Sequence, residues 1–418
     1  MRLTAIGLWA AALALAAGCV SAPRTCGVFD VRDFGAAGDG VTKDTAAIQA
    51  AVDAANAAGG GRVTLAGGTF YSGTVYLKSG VELHLAQGAR LLGSADFADY
   101  NPTNIAPWNR GSAHEGWSGR HLIYTDGATD VAITGPGTVD GNGRAFFDDA
   151  KILGRGAVCW RDGTVNAKGE RHEMRRPGQM IEFVNCRDIR VTDVNFVDST
   201  AWSCWFWNCD NVQVRGLRVK NDLLHLNTDG IDIDSCRNVT VSDCVFETGD
   251  DAIAIRGAGE RLGKGRLACE NITIDNCVCK VSADGMRIGV GCGIIRHVRV
   301  SNVVIAHAGV GLHVQPVYGN YGGVDISDVS FSNITIRDAA YAIQVVGHER
   351  ARPHGISLSN VDVFENDILK GKKMVDVSKA DGVTFDNVRL VGEGGVPRPL
   401  TAADVASREN TGLRPTTP

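Results

Sequence analysis

The sequence predicts an all-β fold: a single right-handed parallel β-helix solenoid with an N-terminal capping helix. Three observations carry this. A phrase of alternating apolar residues, closed by Ser, Thr or Asp and a second polar residue, returns again and again along the chain. Glycine is abundant, 52 of 418 residues, while charged residues make up only 21%, a composition that suits turn-rich strands better than helices. One early segment, Asp44 to Ala58, has helical spacing and lies where a solenoid needs its end covered. By length alone the chain would form two or three domains, but repetitive folds escape that count.

From the N-terminus, Arg2 precedes an apolar run from Leu8 to Ala17, then Gly18 and Cys19. The run is too short to span a bilayer and reads as an export signal. Ala16-Ala17-Gly18-Cys19 resembles a bacterial lipobox, so residues 1–19 are expected to be a signal peptide ending in a lipidated Cys19, with an ordinary cleaved signal as the alternative. The expected location is the periplasm or outer membrane, otherwise outside the cell, with the lipid as the sole membrane contact. A short linker, 20–28, leads into the solenoid domain, 29–392. Within Asp44 to Ala58, residues Ala47, Ile48, Ala51, Val52 and Ala55 share one face behind Asp44 or Thr45 as cap. A helix laid over the open end of a solenoid blocks edge-to-edge strand pairing. Gly59-Gly60-Gly61 ends it. Beyond Gly392 the chain turns to Pro, Thr and Gly, so 393–418 is expected to be a loose tail.

The repeated phrase reads Ile189-Arg190-Val191-Thr192-Asp193, Val239-Thr240-Val241-Ser242-Asp243 and Val329-Ser330-Phe331-Ser332-Asn333, among others. Its copies start at 189, 212, 239, 272, 298, 329, 356 and 383, a spacing of 23 to 33 residues. Period-two strands joined by polar turns at that spacing describe a parallel β-helix. A β-propeller would need longer repeats with hairpin signals, and a leucine-rich repeat would need Leu frames that are missing. Right-handed crossover connections set the hand.

A second phrase places the chemistry. Asp229-Gly230-Ile231-Asp232-Ile233, Asp251-Ala252-Ile253-Ala254-Ile255 and Asp284-Gly285-Met286-Arg287-Ile288 align, followed by Val310-Gly311-Leu312-His313-Val314 and Tyr341-Ala342-Ile343-Gln344-Val345. The apolar pair points inward, so Asp232, Ala254, Arg287, His313 and Gln344 form an outward ladder. The leading positions bring Asp229, Asp251 and Asp284 to one end of one sheet, with Asp250 beside them. Neighbouring strands lie roughly 4.8 Å apart, and packed like charges raise at least one carboxyl pKa, which keeps an acid protonated near neutrality. The pattern points to a carbohydrate-cleaving acid/base site. Arg287 and His313 can offset the charge or hold an anionic substrate. Trp205 and Trp207, with Trp202 nearby, can stack on sugar rings or pack as core.

Twelve cysteines in an exported chain raise the question of disulfides, but removing Cys19 leaves an odd number. Cys186, Cys209, Cys236 and Cys269 recur at equivalent places, and no C-x-x-C pair with metal-ligand partners exists. A buried column of small, soft side chains is expected, with no metal and no cofactor. Net charge is −5 without a basic run, which excludes a nucleic-acid surface.

These residues resemble family 28 of the glycoside hydrolases, the polygalacturonase-like pectin-degrading enzymes, from about Phe29 to Asn387. The opening Phe34-Gly35-Ala36-Ala37-Gly38-Asp39-Gly40, then Gly135-Pro136-Gly137-Thr138-Val139-Asp140-Gly141 and Arg176-Pro177, share the likeness. The strings around Asp229 and Asp250-Asp251 are its specific part. The resemblance implies that Asp250 protonates the glycosidic oxygen while Asp229 and Asp251 activate a water for inversion. The substrate it implies is a pectic or related acidic polysaccharide, taken by a monomer. Two strings depart from the family. Asp284 sits where the family has the histidine of Gly-His-Gly, and His313-Val314-Gln315 replaces Arg-Ile-Lys, which grips a uronate carboxylate. Asp284, Arg287, His313, Gln315 and Arg256 are therefore the candidate substrate-binding residues, with Arg287 and Arg256 as replacement cations. His225 and His297 are weaker candidates. Two other classes fit parts of the pattern: a calcium-dependent polysaccharide lyase using Arg287 as base, and a non-catalytic glycan-binding lipoprotein.

Overall fold

Each copy of the repeated phrase folds as a strand whose apolar residues point inward, and its closing polar residue turns the corner. Asp193, Asp243, Asn276, Asn302, Asn333, Asn360 and Asn387 all adopt positive φ, between 50° and 58°. Short polar side chains tolerate this left-handed conformation because they can bond locally. Here they also bond to one another. Asn333 Nδ2 donates to Asn302 Oδ1 at 3.2 Å, Asn360 to Asn333 at 3.2 Å, and Asn387 to Asn360 at 2.8 Å. The corner signal of the sequence is thus a ladder of side-chain amides running along the molecule.

The computed structural model describes residues 27–109, 111–112, 117–153, 156–158, 176–319, 322–365, 374–392, 394–408 and 414–415. They form a right-handed parallel β-helix whose strands pair coil to coil. One sheet matters for function. Its strands are β1 (Ile123–Asp126), β2 (Ile181–Val184), β3 (Cys204–Trp207), β4 (Ile231–Asp234), β5 (Ile253–Gly257), β6 (Asp284–Gly291), β7 (Ile294–Gln315, through its last residues) and β8 (Ala339–Val346). Asp232 faces Ala254, Ala254 faces Arg287, Arg287 faces His313 and His313 faces Gln344. The outward ladder has the register that the sequence predicts.

Inside, the core is one continuous column of Ile, Val, Leu and Phe. Cys186, Cys209, Cys236 and Cys269 lie within it as free, buried thiols. Burial pushes the Cys209 and Cys269 thiols far up, so they stay protonated and pack as small apolar groups. Cys236 Sγ also accepts from the Cys209 backbone N–H at 3.3 Å.

The N-terminal end is closed by α1 (Thr45–Ala57), which buries Ile48, Ala51, Val52 and Ala55 completely. Asp44 stands at the cap position, but its buried carboxylate turns away from the helix to accept from the Ala37 and Gly38 backbone N–H groups at 2.6 and 3.0 Å. It pins the glycine-rich opening loop. Pairing begins at Gly27, which faces Gly61, two residues before the expected boundary. The loose tail expected beyond Gly392 needs correction. Val405–Arg408 adds a further parallel strand to Val375–Ser378, with Leu400 and Val405 buried. Two buried apolar residues among Pro, Thr and Gly suffice where the preceding coil already offers an open strand edge. Cys19 and the signal segment lie outside the described residues.

Candidate active site

The two aspartate strings are interlocked before any substrate arrives. Thr228 Oγ1 donates to the His225 carbonyl at 2.7 Å and accepts from the Gly249 N–H at 3.1 Å. Asn227 N–H donates to Asp250 Oδ2 at 3.0 Å, and Gly230 N–H to the Asp251 carbonyl at 2.9 Å. Gly249 has no alternative at this crossing, because a Cβ there would stand 2.1 Å from the His225 carbonyl oxygen. Arg176, of the Arg176-Pro177 string, is fully buried and donates to Asn227 Oδ1 at 2.9 Å and to the Thr200 carbonyl at 2.6 Å. Its role is to fix the loop that carries Asp229.

Asp229, Asp250 and Asp251 each offer a carboxylate oxygen within 4.8 Å of the others. Asp229 and Asp251 are buried, and Asp250 is partly open to the cleft. Burial pushes Asp229 well above the carboxylate range, with the charges of Asp250, Asp232 and Asp251 adding to it. Burial also pushes Asp251 up to about 7, helped by the charge of Asp284 and opposed by Arg287. Like charges this close cannot all ionise, so the set carries protons near neutrality and titrates as a unit.

Two guanidinium groups flank the set. Arg256 Nε lies 2.5 Å from Asp232 Oδ1 and its Nη2 3.3 Å from Asp229 Oδ2, with Trp202 4.3 Å from its Cζ. Arg287 Nη1 lies 2.8 Å from Asp284 Oδ2 and its Nη2 3.1 Å from Gln315 Oε1. Burial works against charge on Arg287, yet Asp251 and Asp284 hold it protonated. Arg287, the residue a lyase would use as its base, is thus held in the charged form. Arg256 and Arg287, the candidate replacement cations, both line the cleft and are both paired with carboxylates of the site. Gln315 is a partner of Arg287. Three acids within reach could also receive a cation, and among the described residues no other group of three such donors comes together.

Asp284 closes the cluster. Its Oδ2 accepts from His313 Nδ1 at 2.7 Å as well as from Arg287. Despite burial, these contacts hold it below the usual carboxylate range. His313 thus earns its place through Asp284. The two weaker histidine candidates do not line the cleft, although His307 does: His225 stacks on Phe147 with centroids 4.0 Å apart, and His297 pairs with Asp328 on the surface at 2.7 Å.

The carboxylates sit at one end of a cleft of about 650 Å³, whose walls include Trp202, Arg287, His313, Tyr318, Tyr341 and Gln344. Of the three tryptophans, Trp202 alone reaches it; Trp205 and Trp207 stack on each other at 4.3 Å and are buried. Three features escaped the sequence reading. Asp232 is fully buried against Arg256, pushed up by that burial to about 7. Tyr318 lies 4.8 Å from the Arg287 guanidinium. Val290, on the cleft wall, adopts φ 72°, a conformation that costs a β-branched residue roughly 1–3 kcal/mol. It follows a register shift between β5 and β6. The Gly-Val-Gly string at 289–291 was its one sequence signal.

Comparison with known proteins agrees with this geometry. The model of the family described as Glycosyl hydrolases family 28 matches residues 109–402, and that described as Rhamnogalacturonase A/epimerase, pectate lyase-like, matches 28–95. A probable polygalacturonase of Vitis vinifera is 27% identical over 327 residues, 76% of this chain and 62% of that protein. The chain therefore spans less than two thirds of that relative's length. Among solved structures, a family 28 exopolygalacturonase of Yersinia enterocolitica superposes with a TM-score of 0.68 at 21% identity, covering 94% of this chain and 76% of the other. The polygalacturonase of Erwinia carotovora ssp. carotovora gives 0.66 at 20% identity, covering 96% and 100%.

Proposed function

Because the chain belongs to glycosyl hydrolases family 28, we propose that it hydrolyses glycosidic bonds of a pectic polysaccharide by single displacement. The observation that carries this is the convergence of Asp229, Asp250 and Asp251 within 4.8 Å at one end of an open cleft. Asp250, which faces the cleft, gives its proton to the glycosidic oxygen as the bond to the anomeric carbon breaks. A water held between Asp229 and Asp251 adds its hydroxyl to that carbon, and its proton goes to the pair. Arg256 and Arg287 keep the clustered carboxylates in place and limit their mutual repulsion.

The spacing also favours a second reading. Two-carboxyl inverting sites are about 6.5–9.5 Å across and retaining ones about 5–5.5 Å, and this set, with one oxygen of each carboxyl within 4.8 Å of the others, is tighter than both. A retaining route would need an ionised, reachable nucleophile, whereas Asp229 and Asp251 are buried and pushed toward the protonated form. Two acids sharing a proton around one water suit single displacement better. Proton NMR of the first-formed anomer decides between them: inversion is expected, and retained configuration would transfer the role of nucleophile to one of the buried pair.

The substrate reading follows from the committed cations. With His313 and Gln315 in place of the family's Arg and Lys, and Arg287 tied to Asp284, a free uronate carboxylate finds no open cation among the described cleft residues. A neutral sugar beside His313 fits better. Losing a charge-assisted contact costs about 1.5–3 kcal/mol, so unsubstituted polygalacturonate should be at least about tenfold poorer than a branched pectic fragment. Efficient depolymerisation of plain polygalacturonate, undiminished in Arg287→Ala, would refute this. The first 19 residues support export with a lipid at Cys19; mass spectrometry of the mature N-terminus tests it.

A further inference from the structure

The outward ladder of the site sheet changes character at the catalytic coil. Tyr124, Glu182, Trp205 and Asp232 succeed one another in register on β1 to β4, so the sheet runs on unbroken past the carboxylates. The groove does not. Tyr124, Glu182 and Trp205 are at most 4% exposed, although each points away from the solenoid core. Among the described residues, no part of the cleft wall comes from before Trp202 in the chain.

An aromatic wall explains the difference. Trp117 packs on Trp202 at 5.7 Å between centroids, and Trp202 meets Trp205 edge-on at 5.2 Å. Trp117 belongs to a strap, described at 101–109, 111–112 and 117–120, whose Trp108 and Trp117 pack with Tyr124, Trp202 and Trp205 on the outer face of the sheet. The strap is bonded down, not resting there. Asn101 N–H donates to Thr74 Oγ1 at 2.7 Å and Ser118 N–H donates to the buried Arg176 carbonyl at 3.1 Å, while Asn109 Nδ2, donating to the Gly119 carbonyl at 2.7 Å, ties the strap to itself. Arg256, held by Asp229 and Asp232, lies against the inner side of the same wall through Trp202. Wall and carboxylates are in continuous contact through Arg256 and Trp202.

We propose that this cleft is blind at its N-terminal side and that the protein removes single sugar units from a chain end instead of cutting within the chain. Trp202 precedes Ser203, whose N–H donates to the Asp229 carbonyl at 2.8 Å, and Arg256 fills the space between that ring and Asp229, so on this side the cleft extends no more than one sugar unit past the carboxylates. The rest of the chain lies along β6 to β8, past His313 and Gln344. This rests on the glycoside hydrolase reading above and concerns only which bond enters the site; water still supplies the hydroxyl to the anomeric carbon, Asp250 the proton to the leaving oxygen, and the water's proton goes to Asp229 and Asp251.

The test uses the full chain and end-labelled oligosaccharides of defined length from polygalacturonan, rhamnogalacturonan and xylogalacturonan, with products sized chromatographically through the first turnovers. The expected result is a monosaccharide from the earliest samples, remaining chains shorter by one unit, and slow loss of viscosity on the parent polymer. Blocking the chain end that enters should abolish cleavage. Mixed oligosaccharides in the earliest samples with steep viscosity loss, or cleavage of chains blocked at both ends, would overturn the proposal while leaving the hydrolase reading intact. Failure to cleave any of the three substrates would count against that reading, and this inference would fall with it.

Discussion

Asp251 and Asp284 stand on adjacent coils, are buried to nearly the same degree and lean on the same guanidinium, yet they hold protons in opposite ways. Asp251 is pushed up by burial to about 7, and Arg287 at 3.9 Å is too far to reverse that. Asp284 is equally removed from water but has two direct donors, Arg287 at 2.8 Å and His313 at 2.7 Å, and it stays below the ordinary range. Burial sets the cost of the charge, and the number of donors in contact decides whether the charge is kept. One carboxyl is thereby left to trade protons, and the other becomes a fixed anion that biases it.

The widest separation between the two should be in turnover. Asp251→Asn, like Asp250→Asn, should lower kcat by at least ~100-fold, the scale of general acid–base catalysis, with little change in KM. Asp284→Asn should cost about tenfold or less. Equal losses at Asp251 and Asp284 would break the comparison.

Removing one donor tests the other half. His313→Ala leaves Asp284 buried with Arg287 alone, and denaturant unfolding at neutral pH should show a loss of about 1.5–3 kcal/mol, the range for hydrogen bonds to charged groups. A variant as stable as the wild type would mean that Arg287 alone keeps Asp284 ionised.

The pH dependence of stability sharpens the contrast, because the two signs act in different windows. Asp251 has a folded pKa above its unfolded one, so its contribution is full below about pH 4 and is lost as pH rises toward 7. Asp284 has a depressed folded pKa, so its contribution is present above the unfolded value and is lost only as pH falls further. Asp251→Asn should therefore flatten the fall in stability between these limits by about 1.4 kcal/mol per pH unit, the linkage slope for one proton. Asp284→Asn should leave that window's slope nearly as it is and remove the acid-side loss.

The smallest effect is on the activity profile. kcat/KM should rise toward about pH 7 as Asp251 gives up its proton and becomes able to take the water's. Without the negative charge of Asp284, Asp251 releases its proton more readily, so Asp284→Asn should move that acid-side limb to lower pH. A limb that stays put would show that Asp284 does not bias the proton-trading group.

Much of this site is written in the chain, and the part that is not has a common cause. The phase of Asp229, Asp251, Asp284 and the Arg287–His313–Gln344 ladder follows from period-two alternation and a recurring corner, both local properties. The commitments of Arg256 to Asp232 and of Arg287 to Gln315 are not local. They depend on how far one coil is shifted against the next, and the register slip beside Val290 is set by a bulge that no alternation pattern reports. The Trp117–Trp202 wall is less legible still, since its two halves are far apart in sequence and meet only because a strap with no repeat of its own crosses the sheet. The tail was misread for the opposite reason: its apolar signal is two residues long, and the edge it joins does the rest.

The closed N-terminal end has a consequence of a kinetic kind. A solenoid behaves as a row of neighbouring units, each steadied chiefly by the next. One end here is stitched by α1, with four fully buried side chains in its seam, while at the other the last described pairing joins only Thr384–Phe385 to Arg414–Pro415. Such a row opens like a zip with a single slider. Thermal openings should therefore enter through the C-terminal coils and run inward, reaching the catalytic coils last, an order that hydrogen exchange along the coils would show.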